Sequence, residues 1–131
     1  MIDLLDDGVK PQALCYHVGT NDISAGRNVD EIMSDIEYLI KLTQRQGIVP
    51  VISLVTVRND RERYSSKVDE LNQAIVDLCN EEGVGYIEHQ NINYRHLNES
   101  GIHIHHKHTS IFSNNFVNFF NYLVNSDFIL G

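Results

Sequence analysis

ALCYHVGTND, residues 13–22, sets a short apolar run against a glycine-led polar turn. Residues 13–18 read as a buried strand, and Gly19-Thr20-Asn21-Asp22 reads as the loop that closes it. Downstream the period changes. Ile32, Met33, Ile36, Leu39 and Ile40 follow helical spacing within residues 30–46, and Gly47 ends that helix. Residues 48–55 read as a second buried strand, with Pro50 tolerated near its start. Residues 59–64 read as a charged surface loop. A helix follows over residues 66–80, with Ser66 and Asp69 as its N-cap pair. Its apolar face is Val68, Leu71, Ile75 and Leu78, and Gly83 follows its end. Residues 84–88 give a short third strand and residues 89–108 a polar loop with a histidine cluster. A last helix over residues 109–124 presents Phe112, Phe116, Phe119, Phe120 and Leu123. Strands alternating with helices imply parallel pairing in a layered α/β fold, with chemistry at the loops after the strands.

The 131 residues suit a single domain, 1–131, and 42% apolar content is enough for a core. A net charge of −8 argues against nucleic acid as a partner, because phosphate binding needs a basic face. It argues equally against docking on an anionic membrane surface. No apolar run approaches the roughly 18 residues of a membrane span. The N-terminus, MIDLLDD, has no apolar core of a signal peptide, which favours the cytoplasm. Cys15 and Cys79 stand apart in apolar stretches and read as small buried hydrophobes.

Two polar constellations fall at strand ends. Gly19 permits a tight turn, and Asn21 just beyond it can aim an amide at a developing oxyanion. Taken alone, the same four residues are ordinary turn formers. The second constellation is Ser100 to His108, with four histidines in six positions: His103, His105, His106 and His108 around Lys107. A histidine before a terminal helix can act as a general base. Zinc is the alternative reading, but no H-E-x-x-H or cysteine pair accompanies the cluster. On an extended segment His103 and His105 would share one face and His106 and His108 the other.

Together these stretches resemble the SGNH (GDSL-like) hydrolase superfamily. YHVGTND (16–22) is similar to its third block, and ESGIHIHHKHTSIFSNNFVNFF (99–120) to its fifth block with the terminal helix. ISLVTVRND (52–60) and VDELNQAIVDLCNEEGVGYIEH (68–89) are similar to the stretches between them. The resemblance implies a three-layer α/β/α, flavodoxin-like fold with a short parallel sheet, N-terminally truncated relative to the family order 2-1-3-4-5. It implies that Asn21 helps form an oxyanion hole, that Gly19 is the turn glycine of that block, and that His103 is the base. It implies ester hydrolysis without a cofactor, on small acyl or acetyl esters.

The departures are as informative. No serine precedes Gly19, and no Gly-Asp-Ser occurs, so the family nucleophile has no counterpart here. Ser100 replaces the aspartate that orients the imidazole, Val57 a proline, and His108 a glycine. The expectation is therefore an esterase-like domain that is inactive alone. Alternatives are a binding or assembly module and a metal site at His103–His108. Without two upstream strands, the strand at 13–18 becomes an edge open to self-association, with residues 1–7 forming a short helix over part of it.

Overall fold

The computed structural model describes residues 12–17, 19–58 and 60–125. Three strands, β1 (Ala13–His17), β2 (Val49–Ser53) and β3 (Gly85–Ile87), form one parallel sheet in the order β1-β2-β3. Cys15 pairs with Val51 and Val51 with Gly85; His17 pairs with Ser53 and Ser53 with Ile87. Four α-helices accompany them: α1 (Thr20–Ser24), α2 (Val29–Arg45), α3 (Glu62–Glu82) and α4 (Thr109–Asn125).

Strand alternation sorts the side chains into two cores. Ile52, Tyr16 and Tyr86 pack with Ile32, Ile36 and Ile40 of α2 and with Leu71 and Ile75 of α3. Val51, Ile87 and Cys15 pack with Leu123, Phe116 and Phe119 of α4. Helices thus cover both faces, giving the three layers. Each buried isoleucine contributes on the order of 1.5–3 kcal/mol. Gly85 sits under α4: a Cβ there would meet the Phe119 ring at 2.9 Å.

Local sequence explains the boundaries. Helix α2 starts in a capping box: Glu31 N–H donates to Asn28 Oδ1 at 2.8 Å, and Asn28 N–H donates to Glu31 Oε1 at 3.3 Å. Helix α3 begins at Glu62, not at Ser66, so part of the expected surface loop is helical. Ser66 and Asp69 are therefore interior residues rather than a cap. Glu62 and Arg63 are good helix formers, and Ser65 Oγ donates to the Arg58 carbonyl at 2.7 Å across that first turn. Val68, Leu71 and Ile75 are buried on α3 with Cys79, and Leu78 is half-buried against the same core. Strand β2 stops at Ser53 because Asn72 of α3 takes over: Val55 N–H donates to Asn72 Oδ1 at 2.8 Å and Asn72 Nδ2 to the Val55 carbonyl at 2.9 Å.

The expected loop after β1 is instead α1, anchored by Ile23, which is fully buried. Residues 89–108 also carry more order than a loop. Two 3-10 turns, Tyr94–His96 and His106–His108, flank an antiparallel bridge between Leu97 and Ile104. Strand β1 is an edge, and its residues 13–16 are half-buried rather than buried, because only β2 flanks it among the described strands. Val18, Asn59 and the expected helix over residues 1–7 lie outside the described residues. Among the described residues no helix is long and apolar enough to cross a membrane.

Candidate functional site

The C-terminal ends of the strands open into a cleft of about 470 Å³. Gly19, Asn21 and Asp22 form one wall, and Ile102, His103 and Ile104 form the opposite one. His17, Thr56 and Phe112 also line it. The three residues singled out in the sequence, Gly19, Asn21 and His103, therefore share one cleft although about eighty positions separate them in the chain.

Backbone strain and a buried cation build the first wall. Gly19 has φ 119°, outside the region that side chains tolerate. Any Cβ there would lie 2.6 Å from Val55 Cγ2 and 3.0 Å from Leu71 Cδ2. Helix α1 is held from below by Arg58, which is only 1% exposed. Arg58 Nη1 donates to the Thr20 carbonyl at 3.0 Å and to Ser24 Oγ at 2.9 Å. Its Nε and Nη2 grip Asp60 at 3.0 and 2.6 Å, and Tyr64 stacks 4.6 Å from the guanidinium. Arg58 holds the Asp60 carboxyl below its usual range. On the surface, Arg27 ties Asp22 to Asp35 at 3.1 and 2.7 Å. The Asn21 side chain is exposed and hydrogen-bonds no described residue, which leaves its amide free toward the cleft.

The second wall departs from a full triad. His103 is exposed, and no carboxylate among the described residues bonds its ring. Ser100, where an aspartate would orient the imidazole, turns away: its hydroxyl bonds Asn98 Oδ1 and accepts from Ile102 N–H at 3.2 Å. Among the described residues no serine or cysteine lines the cleft; its hydroxyls are those of Thr20, Thr56 and Thr109. Burial pushes the thiols of Cys15 and Cys79 up to about 11, so both stay protonated and poorly nucleophilic.

The remaining histidines do not divide into two faces as an extended segment would require. The 3-10 turn at His106–His108 brings the His105 ring 4.2 Å from His106 and 6.3 Å from His108, while His108 lies 4.8 Å from His96. His105 Nδ1 accepts from Lys107 N–H at 3.1 Å, and His96 Nδ1 accepts from Asn93 N–H at 3.0 Å. A neutral ring with an accepting Nδ1 carries its proton on Nε2, the reverse of what a metal on Nε2 needs. Among the described residues no three His, Cys, Asp or Glu side chains converge as metal ligands.

The sequence reading missed a second polar group beside the cleft. His17 Nδ1 bonds Ser53 Oγ at 2.9 Å, Ser53 Oγ bonds His89 Nε2 at 2.7 Å, and His89 Nδ1 bonds Asn115 Nδ2 at 2.9 Å. Phe112 and Phe116 wall it in, with ring centroids 4.6 and 5.4 Å from His89. The available signal was a polar residue at or just past the end of each apolar strand. Burial, with His17 as a like neighbour, lowers the His89 pKa from 6.5 to about 4. The unfolded chain therefore binds the extra proton between those values, so stability rises with pH across that window and falls on acidification. From pH 7 to pH 5 the loss from His89 alone is about 2 kcal/mol. Urea unfolding at the two pH values checks it, and His89→Gln flattens the difference.

No family model matches the chain, and no curated protein matches it in sequence. Solved structures do. A GDSL-like lipase from Bacteroides thetaiotaomicron aligns with a TM-score of 0.73 at 14% identity, over 82% of this chain and 61% of its own. A lipolytic G-D-S-L family protein from Veillonella parvula aligns with a TM-score of 0.76 at 18% identity, over 89% and 68%. A carbohydrate esterase family 3 protein from Talaromyces cellulolyticus gives 0.77 at 15% identity, over 88% and 60%. The chain thus has the SGNH-type α/β fold of these proteins and spans 60–68% of their length.

Proposed function

We propose that this chain is the oxyanion-and-base part of an ester-hydrolase cleft, and that its 131 residues alone do not turn over esters. The observation that carries this reading is the meeting of Gly19, Asn21 and His103 in one cleft on an esterase-type fold. Asn21 would donate to the oxyanion of a tetrahedral intermediate, and His103 would take the proton of an attacking hydroxyl. The described lining supplies the threonine hydroxyls of Thr20, Thr56 and Thr109 but no serine, and none of these hydroxyls bonds the His103 ring. Loss of a nucleophile alone costs on the order of a million-fold in a serine protease. Hydrolysis of p-nitrophenyl acetate by the purified chain and by His103→Ala is expected to be equal and near background. A clear rate that disappears in the variant would overturn the inactive reading. The substrate class consistent with the fold is a small acyl ester.

A second reading, as an assembly module, rests on β1. It is an edge strand with apolar residues Leu14 and Cys15 and no described partner on its outer side. Such edges pair with other strands. Sedimentation velocity would then show concentration-dependent dimers; a monomer at every concentration would remove this reading.

A further inference from the structure

The polar group behind the cleft has a fixed direction, and Asn115 sets it. Asn115 and Asn91 exchange two hydrogen bonds: Asn115 Nδ2 donates to Asn91 Oδ1 at 2.9 Å, and Asn91 Nδ2 donates to Asn115 Oδ1 at 3.0 Å. That turns the second N–H of Asn115 onto His89 Nδ1 at 2.9 Å. A ring nitrogen that accepts carries no proton, so neutral His89 is protonated on Nε2 and donates to Ser53 Oγ at 2.7 Å. Ser53 has one hydroxyl proton. Its acceptors are His17 Nδ1 at 2.9 Å and the Leu54 carbonyl at 3.5 Å, and the shorter bond dominates. His17 Nδ1 is then an acceptor as well, and the proton of the neutral ring sits on Nε2.

His17 lines the cleft beside Gly19 and Asn21. Phe112 backs its ring at 5.1 Å, and among the described residues Ser53 is the one hydrogen-bonding partner of the imidazole. We propose that His17 is a locked neutral hydrogen-bond donor for a carbonyl or carboxylate oxygen in the cleft, with Ser53, His89 and Asn115 as its positioning residues. This rests on the ester-cleft reading for the class of ligand and adds a donor that reading does not contain. Burial lowers the pKa of His17 and of His89, which keeps both rings neutral at pH 7. A neutral imidazole can polarise a carbonyl without giving up its proton. Ile102, Ile104 and Phe112 offer an apolar lining for a short acyl chain. The charged and titratable neighbours across the cleft are Asp22, already paired with Arg27, and His103.

The test is nitrogen-detected NMR of the imidazoles in the full chain, with butyrate as the probe. At pH 7 the expected result is a proton on Nε2 of both His17 and His89, and a butyrate-dependent shift of the His17 Nε2–H. Ser53→Ala releases His17 Nδ1, mixes its tautomers and weakens butyrate about tenfold, the size of one oriented hydrogen bond. Asn115→Asp, which can only accept, reverses the row and moves the His17 proton to Nδ1 at about pH 9, where both rings are neutral. A purely structural row would leave the His17 tautomer unchanged in that variant, which would overturn the proposal. A proton on His17 Nδ1 in the parent chain would also overturn it, and so would an Nε2 proton that ignores butyrate. If Asn21 and His103 shift with butyrate while His17 does not, only the donor role fails. If none of the three shifts, the ester-cleft reading fails with it.

Discussion

Gly19→Ala lowers the unfolding free energy by about 2–6 kcal/mol. Two costs combine. Alanine at φ 119° is strained by about 1–3 kcal/mol. Its methyl also enters the core at 2.6 Å from Val55 Cγ2 and 3.0 Å from Leu71 Cδ2, and overpacking of that kind costs about 1–3 kcal/mol. Both neighbours are buried, so neither can step aside into solvent. Gly26→Ala is the control: φ is 78°, but nothing lies within 4 Å of its Cβ, so strain alone remains, about 1 kcal/mol. Urea denaturation of the two variants checks the difference. Equal costs would show that the contact with Val55 and Leu71 is relieved by a small shift of the wall. Since small domains are stable by only about 5–15 kcal/mol, Gly19→Ala brings this one near its limit.

Arg58→Met is expected to cost about 1–3 kcal/mol, the range for leaving hydrogen-bond acceptors without their buried donor, since Asp60 keeps 16% of its side chain in water. The guanidinium makes four hydrogen bonds in two directions, to Asp60 and to the Thr20 carbonyl and Ser24 hydroxyl of α1. Arg58→Lys should recover little, because an ammonium cannot grip Asp60 with a planar fork while reaching Thr20. The loss has a local signature: α1, which carries Asn21, loses its tether, so its amides exchange faster than those of α2. If Arg58→Lys unfolds like the parent chain, the fork geometry does not matter and the stabilisation is simple charge neutralisation.

The alternation of strands and helices was legible because the strands are short, nearly continuous apolar runs while isoleucine, leucine and valine recur at period-3.6 positions in the helices. What was illegible has common physical causes. Helix α1 is too short for any period to emerge; Ile23 alone anchors it. The start of α3 was hidden because charged Glu62 and Arg63 suit a helix and a surface loop equally. Arg58 lies in a polar run, and nothing in a sequence says that one arginine of several is 1% exposed. Asn21 and His103 were readable through their blocks, whereas His17, Ser53 and His89 are single polar residues in three separate stretches, related only by the register of the sheet. The histidines at 105–108 were misread for the opposite reason, since a local 3-10 turn replaced the extended backbone that the alternation assumed.

The sheet order has a further consequence, for how the chain is made. Each strand pairs with the next one in sequence, and the hydrogen bonds from His17 to Ser53 and from Ser53 to His89 each close the same span of 36 residues. Equal, moderate spans carry nearly equal closure entropies, because that cost grows only with the logarithm of length. As synthesis proceeds, β2 can dock on a β1 that has already emerged, and β3 on β2. No described strand must wait exposed for a partner encoded far downstream. The chain can wind itself up from one end, with α4 closing over the finished row last.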